Sequence, residues 1–340
     1  MPEALKFSLV VPVYNRPEEL DELLESLKGQ VYNAPFEVVV VEDGSQRDSA
    51  SVVQAYASHL DIQYFTKPNT GPGDSRNYGM RKASGDYFLL VDSDCILPPD
   101  YLQIVRDALL ADPADCFGGR DAGHPSFSPI QQAISFTMTS PLTTGGIRGR
   151  KKAQRNFQPR SFNMGLSRRA FEASGGFGSI HPGEDPDLSL RLLQAGFQLK
   201  YIPEAVVFHK RRIDFKSFYR QVKKFGMTRP ILNRWHPGTA RITYWFPTLF
   251  CAGLLFALLL PLFWQHPLSW APLAFAGAYL LALFFAAWAT YGSVYIALLS
   301  LPAALIQFAG YGWGFLKSTS LLTFSGKKPQ ELFPGLFFKA

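Results

Sequence analysis

The sequence predicts an α/β fold, a Rossmann-like doubly wound and mostly parallel sheet, followed by a helical region suited to a membrane. Two observations carry that reading. Strand-length apolar runs alternate with amphipathic stretches through the first hundred residues, and Ile242 to Leu316 contains no Asp, Glu, Lys or Arg. A charge-free stretch of about 75 residues has room for up to three membrane-spanning helices at roughly 20 residues each.

Taken in order, Phe7 to Val13 is a short apolar strand, and Pro17 to Gln30 places Leu20, Leu23, Leu24 and Leu27 on one helical face. Phe36 to Val41 is a second buried strand running into Glu42-Asp43-Gly44-Ser45. A helix through Val52, Val53 and Tyr56 precedes a strand near Ile62 to Phe65. The turn Gly71-Pro72-Gly73-Asp74-Ser75 leads into a helix from Arg76 to Ala83, then a fourth strand from Asp86 to Val91. This alternation places the ligand crevice beyond the strand ends, where Tyr14, Asp43 and Asp92 fall. Beyond Asp94 the pattern loosens. Helices are expected at Pro98 to Ala111, Arg168 to Ser174 and Pro186 to Ala195, with strands at Asp115 to Gly119 and Leu199 to Tyr201. The region leading to Arg160 reads as irregular and basic.

The formal charge is +7 and the pI near 9.2. Most of the excess lies in two clusters, Arg148 to Arg160 and Lys210 to Arg241, the second holding a single acid, Asp214. A basic segment entering apolar helices reads as the cytoplasmic flank of a membrane anchor, attracted to anionic lipid. No nucleic-acid recognition module accompanies the charge, so nucleic acid is not an expected partner. Cys95, Cys116 and Cys251 are odd in number and unpatterned, which gives neither a disulfide framework nor a zinc spacing. Met1 to Lys6, with Pro12 in the first apolar run, does not read as a signal peptide, so the head domain is expected in the cytosol.

Candidate chemistry starts at Asp92-Ser93-Asp94. In a strand, residues at i and i+2 share a face, so the two carboxylates would project together and suit a divalent cation with a diphosphate. Turn or cap roles are the plain alternative. Tyr14 offers an aromatic face for a base, and Asp43 a carboxylate for ring N–H or ribose hydroxyls. Arg76 follows the Gly-rich turn and can meet a diphosphate with a fork of donors. Glu184-Asp185-Pro186-Asp187 supplies candidate bases, although Asp185 before Pro186 also reads as a helix N-cap and Asp187 as a solvated first-turn residue. His181 beside the acidic pair reads as structural.

Together these segments resemble a known family. Val10-Val11-Pro12-Val13-Tyr14-Asn15-Arg16, Val40-Val41-Glu42-Asp43-Gly44-Ser45, Asn69 to Gly79, Val91-Asp92-Ser93-Asp94, and Gly183-Glu184-Asp185 with Arg191 are similar to the successive motifs of family 2 glycosyltransferases with the GT-A fold. The resemblance runs over roughly residues 7 to 225 and implies transfer from a nucleotide-diphosphate sugar with inversion at the anomeric carbon. It implies a nucleotide-sugar site at Pro12, Tyr14, Asp43, Arg76, Asp92 and Ser93. It further implies a Mg²⁺ or Mn²⁺ ion on Asp94 and Asp92, and Asp185 as base with Glu184 supporting. Arg148, Lys151, Lys152, His209 and Gln221 are candidate acceptor or phosphate contacts. Gln221-Val222-Lys223-Lys224-Phe225 stands where processive members carry Gln-x-x-Arg-Trp, and the missing Trp argues against a processive enzyme.

The expected organisation is a GT-A domain at 1–225, a basic juxtamembrane segment at 226–241, a membrane region at 242–316 and a basic tail at 317–340. Apolar segments fall near Ile242 to Trp264, Leu268 to Thr290 and Val294 to Leu316. Three spans would put the Lys-bearing tail outside, whereas two spans with a re-entrant or interfacial segment would keep it cytosolic. The whole reads as a multi-pass protein of the cell inner membrane that passes one sugar to a lipid-linked or glycan acceptor. The rival within the class is a polyprenyl-phosphate glycosyl synthase, then a processive polysaccharide synthase. A sugar nucleotidyltransferase would carry a Gly-rich loop where Pro12 to Arg16 stand, and a transporter would place ionisable groups in its apolar segment.

Overall fold

A computed structural model describes residues 5–124, 126–145, 157–210 and 213–338. Its elements are β1 (Phe7–Val13), α1 (Pro17–Lys28), β2 (Phe36–Asp43), α2 (Ala50–Tyr56), β3 (Asp61–Lys67), α3 (Pro72–Lys82), β4 (Tyr87–Leu90) and β5 (Cys95–Ile96). Next come α4 (Tyr101–Ala111), β6 (Cys116–Ala122), α5 (Pro129–Thr139), α6 (Pro141–Thr144), β7 (Met164–Ser167), α7 (Arg168–Ser174), α8 (Glu184–Gln194) and β8 (Leu199–His209). Four long helices follow, α9 (Phe215–Trp235), α10 (Phe246–Phe263), α11 (Ala271–Tyr291) and α12 (Val294–Phe324), before a short α13 (Pro329–Leu332).

The chain divides into two compact units, one of residues 1–124, 149–210 and 337–340, the other of 125–148 and 211–336. The first is built on an eight-stranded sheet ordered β3-β2-β1-β4-β7-β6-β8-β5. Strands β3, β2, β1 and β4 run parallel, and β7 enters antiparallel between β4 and β6. Alternate side chains of the central strands feed two cores, as the period of two requires. Leu9, Val11, Val13, Val38 and Val40 pack with Leu20, Leu23, Leu24 and Leu27 of α1. Val10, Val39, Val41, Phe88 and Leu90 pack with Met80, Ala170, Phe171 and Leu188 on the other face. Both faces are covered, which is why these strands read as unbroken apolar runs. Each such fully buried side chain contributes about 1.5–3 kcal/mol.

Two local differences matter. Asp92-Ser93-Asp94 follows the end of β4 in a turn leading to β5, so the strand-face argument does not apply to it. Helix α8 opens at Glu184 with Gly183 as N-cap, so Asp185 lies in the first turn and is not the cap. The region read as irregular also contains α5. It is started by Ser128, whose hydroxyl accepts from Gln131 N while the Gln131 side chain accepts from Ser128 N, with Pro129 at the first helical position.

In the second unit, α10, α11 and α12 lie within three helices long and apolar enough to cross a membrane, Ile242–Phe263, Pro267–Tyr291 and Val294–Phe324. Ile134, Met138, Phe218, Val222 and Ala303 form one of its cores, with Phe225 packed against them.

Candidate active site

The crevice opens where β1 and β4 part. They pair only from Phe7 to Val10, so Pro12, which has no N–H to give a neighbour, sits buried beyond the last paired position while β2 continues alongside. The loop after β1 is fixed to the loop after β2. Asn15, in the left-handed region at φ 55°, donates its N–H to Ser45 Oγ at 2.7 Å and accepts from Gln46 N at 2.8 Å. Between them Tyr14 keeps half its surface exposed, the free aromatic face expected of a base platform. Asp43 at the end of β2 is buried. Its Oδ1 accepts from Thr70 N at 3.0 Å and Lys67 Nζ at 2.6 Å, and its Oδ2 from Gly71 N at 2.9 Å. Those bonds set the Thr70–Gly71 loop that starts α3.

Arg76 is the interior cation of the site. Its guanidinium is 2% exposed, with Nη2 2.5 Å from Asp92 Oδ1 and Nη1 3.5 Å from Glu184 Oε1. Both ends of the fork face carboxylates of the chain, so what the structure assigns to it is the joining of the post-β4 turn to the start of α8. Burial opposes the charge, but Asp92, Glu184 and Asp185 outweigh it and raise the guanidinium pKa. His181 Nδ1 lies 2.8 Å from the same Glu184 Oε1. Burial would raise Glu184, yet His181 and Arg76 together hold its carboxyl well below the usual range.

Asp185 behaves in the opposite way. Burial and then the charge of Glu184 push its pKa up, against the pull of Arg76 and Arg160. Its Oδ1 is buried with no hydrogen-bond partner among the described residues. Two neighbouring carboxyls are thus driven apart, one kept ionised and paired, the other made more basic, the pattern by which acid–base roles are divided.

Asp94 belongs to a different group. Oδ2 accepts from Arg16 Nη1 at 2.8 Å, and Oδ1 lies 3.1 Å from His209 Nε2. The β5–β8 pairing sets Cys95 opposite His209, and the ligating atoms of Asp94, Cys95 and His209 all lie within 4.8 Å of one another. Two ligand atoms each about 2.1 Å from an ion stand about 3 Å apart, so the Asp94 and His209 atoms fit a shared divalent cation. Cys95 Sγ is directed at Phe162 O, 3.7 Å away, which leaves carboxylate and imidazole as the natural donors. Ser93 is buried between the two acids.

Of the expected residues, Arg76, Asp92, Glu184 and Asp185 form one charge cluster, and Asp94 joins His209. Gln221 lies in α9 of the second unit. Arg148, Lys151 and Lys152 lie outside the described residues. Asp187, read from sequence as solvated, is buried and holds Arg191 Nε at 3.0 Å, while the Arg191 Nη atoms donate to Ser174 O and Gly176 O. The sequence reading gave no role to Arg16, whose signal was its place at the end of the first motif. It also set His181 aside, although an i,i+3 spacing to Glu184 was visible. Arg160, whose charge lowers Asp185, and Ser161, whose side chain hydrogen-bonds the same carboxyl, carried no local signal at all.

The open sheet with its acidic turn beyond β4 defines the class, an α/β protein with the GT-A glycosyltransferase fold. Residues 8–175 match the family model for glycosyl transferase family 2, and the chain carries a domain of that family over those residues. An uncharacterized glycosyltransferase of Rickettsia bellii is 40% identical over 99 residues, 29% of this chain and 14% of the relative. The poly(ribitol-phosphate) β-N-acetylglucosaminyltransferase TarS of Staphylococcus aureus is 39% identical over 109 residues, 31% of this chain and 18% of the relative. The chain thus spans less than a fifth of the length of these curated relatives. Among solved structures, the mannosyltransferase PcManGT of Pyrobaculum calidifontis, in complex with GDP-Man and Mn²⁺, superposes with a TM-score of 0.55 at 19% identity, over 96% of this chain and 89% of that one. That likeness concerns the fold.

Proposed function

We propose that this chain transfers a single sugar, with inversion, from a nucleotide-diphosphate sugar to a lipid-linked or glycan acceptor at the cytoplasmic face of the cell inner membrane. The observation that carries the reading is Asp185: a raised carboxyl whose buried Oδ1 has no partner among the described residues, next to an ionised Glu184 that is tied through Arg76 to Asp92. In a direct displacement the base must take the acceptor's proton on the side of the sugar away from the leaving diphosphate. A raised pKa makes Asp185 the stronger acceptor of that proton. Tyr14 and Asp43 serve the nucleoside, and Asp94 with His209 would hold Mg²⁺ or Mn²⁺, which when bound neutralises the diphosphate and the charge developing on it. The β-linked product in the name of TarS accords with inversion, and the GDP-mannose and Mn²⁺ of the mannosyltransferase are ligands of the class assigned here. Phe225, standing where processive members place Trp, packs against the cluster of Phe218, Val222 and Ala303, which supports transfer of one sugar over polymer synthesis. The basic residues of α9 support attachment to an anionic membrane face.

The deciding experiment incubates the full chain with a panel of nucleotide sugars and Mn²⁺ or Mg²⁺, with and without membrane lipid extract, and scores nucleoside diphosphate release. Asp185→Asn should abolish turnover, by at least about a hundredfold as for loss of a general base, while nucleotide still binds. Normal turnover in that variant removes Asp185 from the chemistry. A sugar–phospholipid among the products would identify the acceptor as a lipid phosphate.

A further inference from the structure

Beyond α12 the chain returns to the first unit at Phe337 and Phe338. Phe337 forms an antiparallel bridge with Ile180, and Phe338 donates its N–H to Ser179 O at 3.0 Å. The Phe338 ring then lies between two parts of the site. On one side its centroid is 5.8 Å from the His181 ring. On the other it covers Gly71, where a β-carbon would stand 2.2 Å from Phe338 Cδ2. Gly71 has φ 95°, a conformation that L side chains rarely adopt, so backbone and packing both require glycine there.

The two flanks have different duties. Gly71 gives its N–H to Asp43, the residue assigned to the nucleoside, and it caps α3, the helix of Arg76. His181 is paired to Glu184, whose charge raises Asp185. Elsewhere the two segments are already joined, by Asn77 bonding Phe177 in both directions and by Arg76 on Glu184. Those ties sit along α3. At its N-terminal end Gly73 already packs on Phe177 and Gly178, and Phe338 fills the space beyond them, between Gly71 and His181.

We propose that Phe338 is a positioning residue of the transfer reaction, a wedge that sets the distance between the nucleoside-binding loop at Thr70–Gly71 and the His181–Glu184 pair that supports the base. The inference rests on the donor and base assignments above. Because the Asn77 and Arg76 ties remain without it, its loss loosens the site and leaves the fold intact. Binding of the nucleoside end depends on Asp43 and is largely kept, whereas turnover depends on where the base stands, and small displacements of a base are costly.

The test uses the full chain and needs two variants. In Phe338→Ala, hydrogen–deuterium exchange should rise together in residues 69–75 and 179–185, a readout independent of activity. Nucleoside diphosphate affinity should stay within about threefold while kcat falls about tenfold, and Phe338→Tyr should restore kcat. Gly71→Ala should also slow turnover, and combining it with Phe338→Ala should cost less than the product of the two separate losses, because the added methyl then has no ring to displace. Unchanged exchange in either segment, kcat equal to that of the unaltered chain, or losses that simply multiply would overturn the proposal. Failure of the unaltered chain to release nucleoside diphosphate from any donor would count against the functional reading, and the exchange experiment would still decide whether the wedge couples the two segments.

Discussion

At the scale of single residues, the sequence singled out the acidic motif at the start of α8 as a candidate site, but its division of labour was not legible. Sequence spacing cannot show that Glu184 faces both His181 and Arg76 while one oxygen of Asp185 is buried without a partner among the described residues. That asymmetry has a pH consequence whose sign follows directly. A base must be deprotonated to accept a proton, and a raised pKa keeps it protonated to higher pH. The acid limb of kcat should therefore lie above about 3.9, the ordinary Asp value. Burial is the larger cause of the shift and the Glu184 charge the next, with Arg76 pulling downward. Glu184→Gln removes one raising charge and frees Arg76 to act on Asp185, so the limb should move to lower pH even where overall activity drops. A pH–rate profile of both forms measures it, and a limb that stays put or moves up would break the link between the two carboxyls.

At the scale of elements, the strands and helices with strong periodicity were the readable ones, because two buried sheet faces impose long apolar runs that need no tertiary knowledge. Where the reading fell short, the competing signals were small and local. The capping box at Ser128 to Gln131 was present in the sequence but lay in a region judged by its charge. The close approach of α9 and α12 is another case, since it is made of absences. A β-carbon at Gly226 would stand 2.1 Å from Tyr311 O, at Gly310 2.6 Å from Val222 Cγ2, and at Gly314 2.3 Å from Lys223 O. Backbone oxygens of a helix cannot swing aside as a side chain can. Gly314→Val should force the two helices apart and cost about 1–3 kcal/mol, as overpacking does. The expected readout is a lowered thermal midpoint in detergent. Gly277→Ala on α11, where nothing lies within 4 Å, should leave the midpoint unchanged or slightly higher.

At the scale of the whole molecule, the unresolved choice in the sequence was between three spans and two, because tail lysines and apolar segments pointed to opposite answers. Helix α11 folds back at Gly292 into an antiparallel pairing with α12, with Tyr279 beside Phe308 at 6.4 Å and Leu283 and Ala287 packed with Ala297 and Ala304. Continuing that pairing by about two turns, at 1.5 Å per residue, brings Ala271 level with the stretch after Gly312. Helix α10 starts at that same level, for Thr248 Oγ1 donates to Gly312 O at 3.0 Å and Trp245 meets Phe315 at 5.0 Å. The charged α9 packs along α12 from Phe218 beside Ala303 to Arg234, whose Nη1 donates to Leu322 O at 3.4 Å. Two spans would make an α11–α12 hairpin with α10 interfacial, the arrangement that keeps the tail lysines on the side of the basic flank. In sealed vesicles, an impermeant maleimide should reach Gln265→Cys and Lys327→Cys from the same side as Glu172→Cys, and Thr290→Cys from the other. Labelling of Gln265→Cys from the Thr290 side would make α10 a full span.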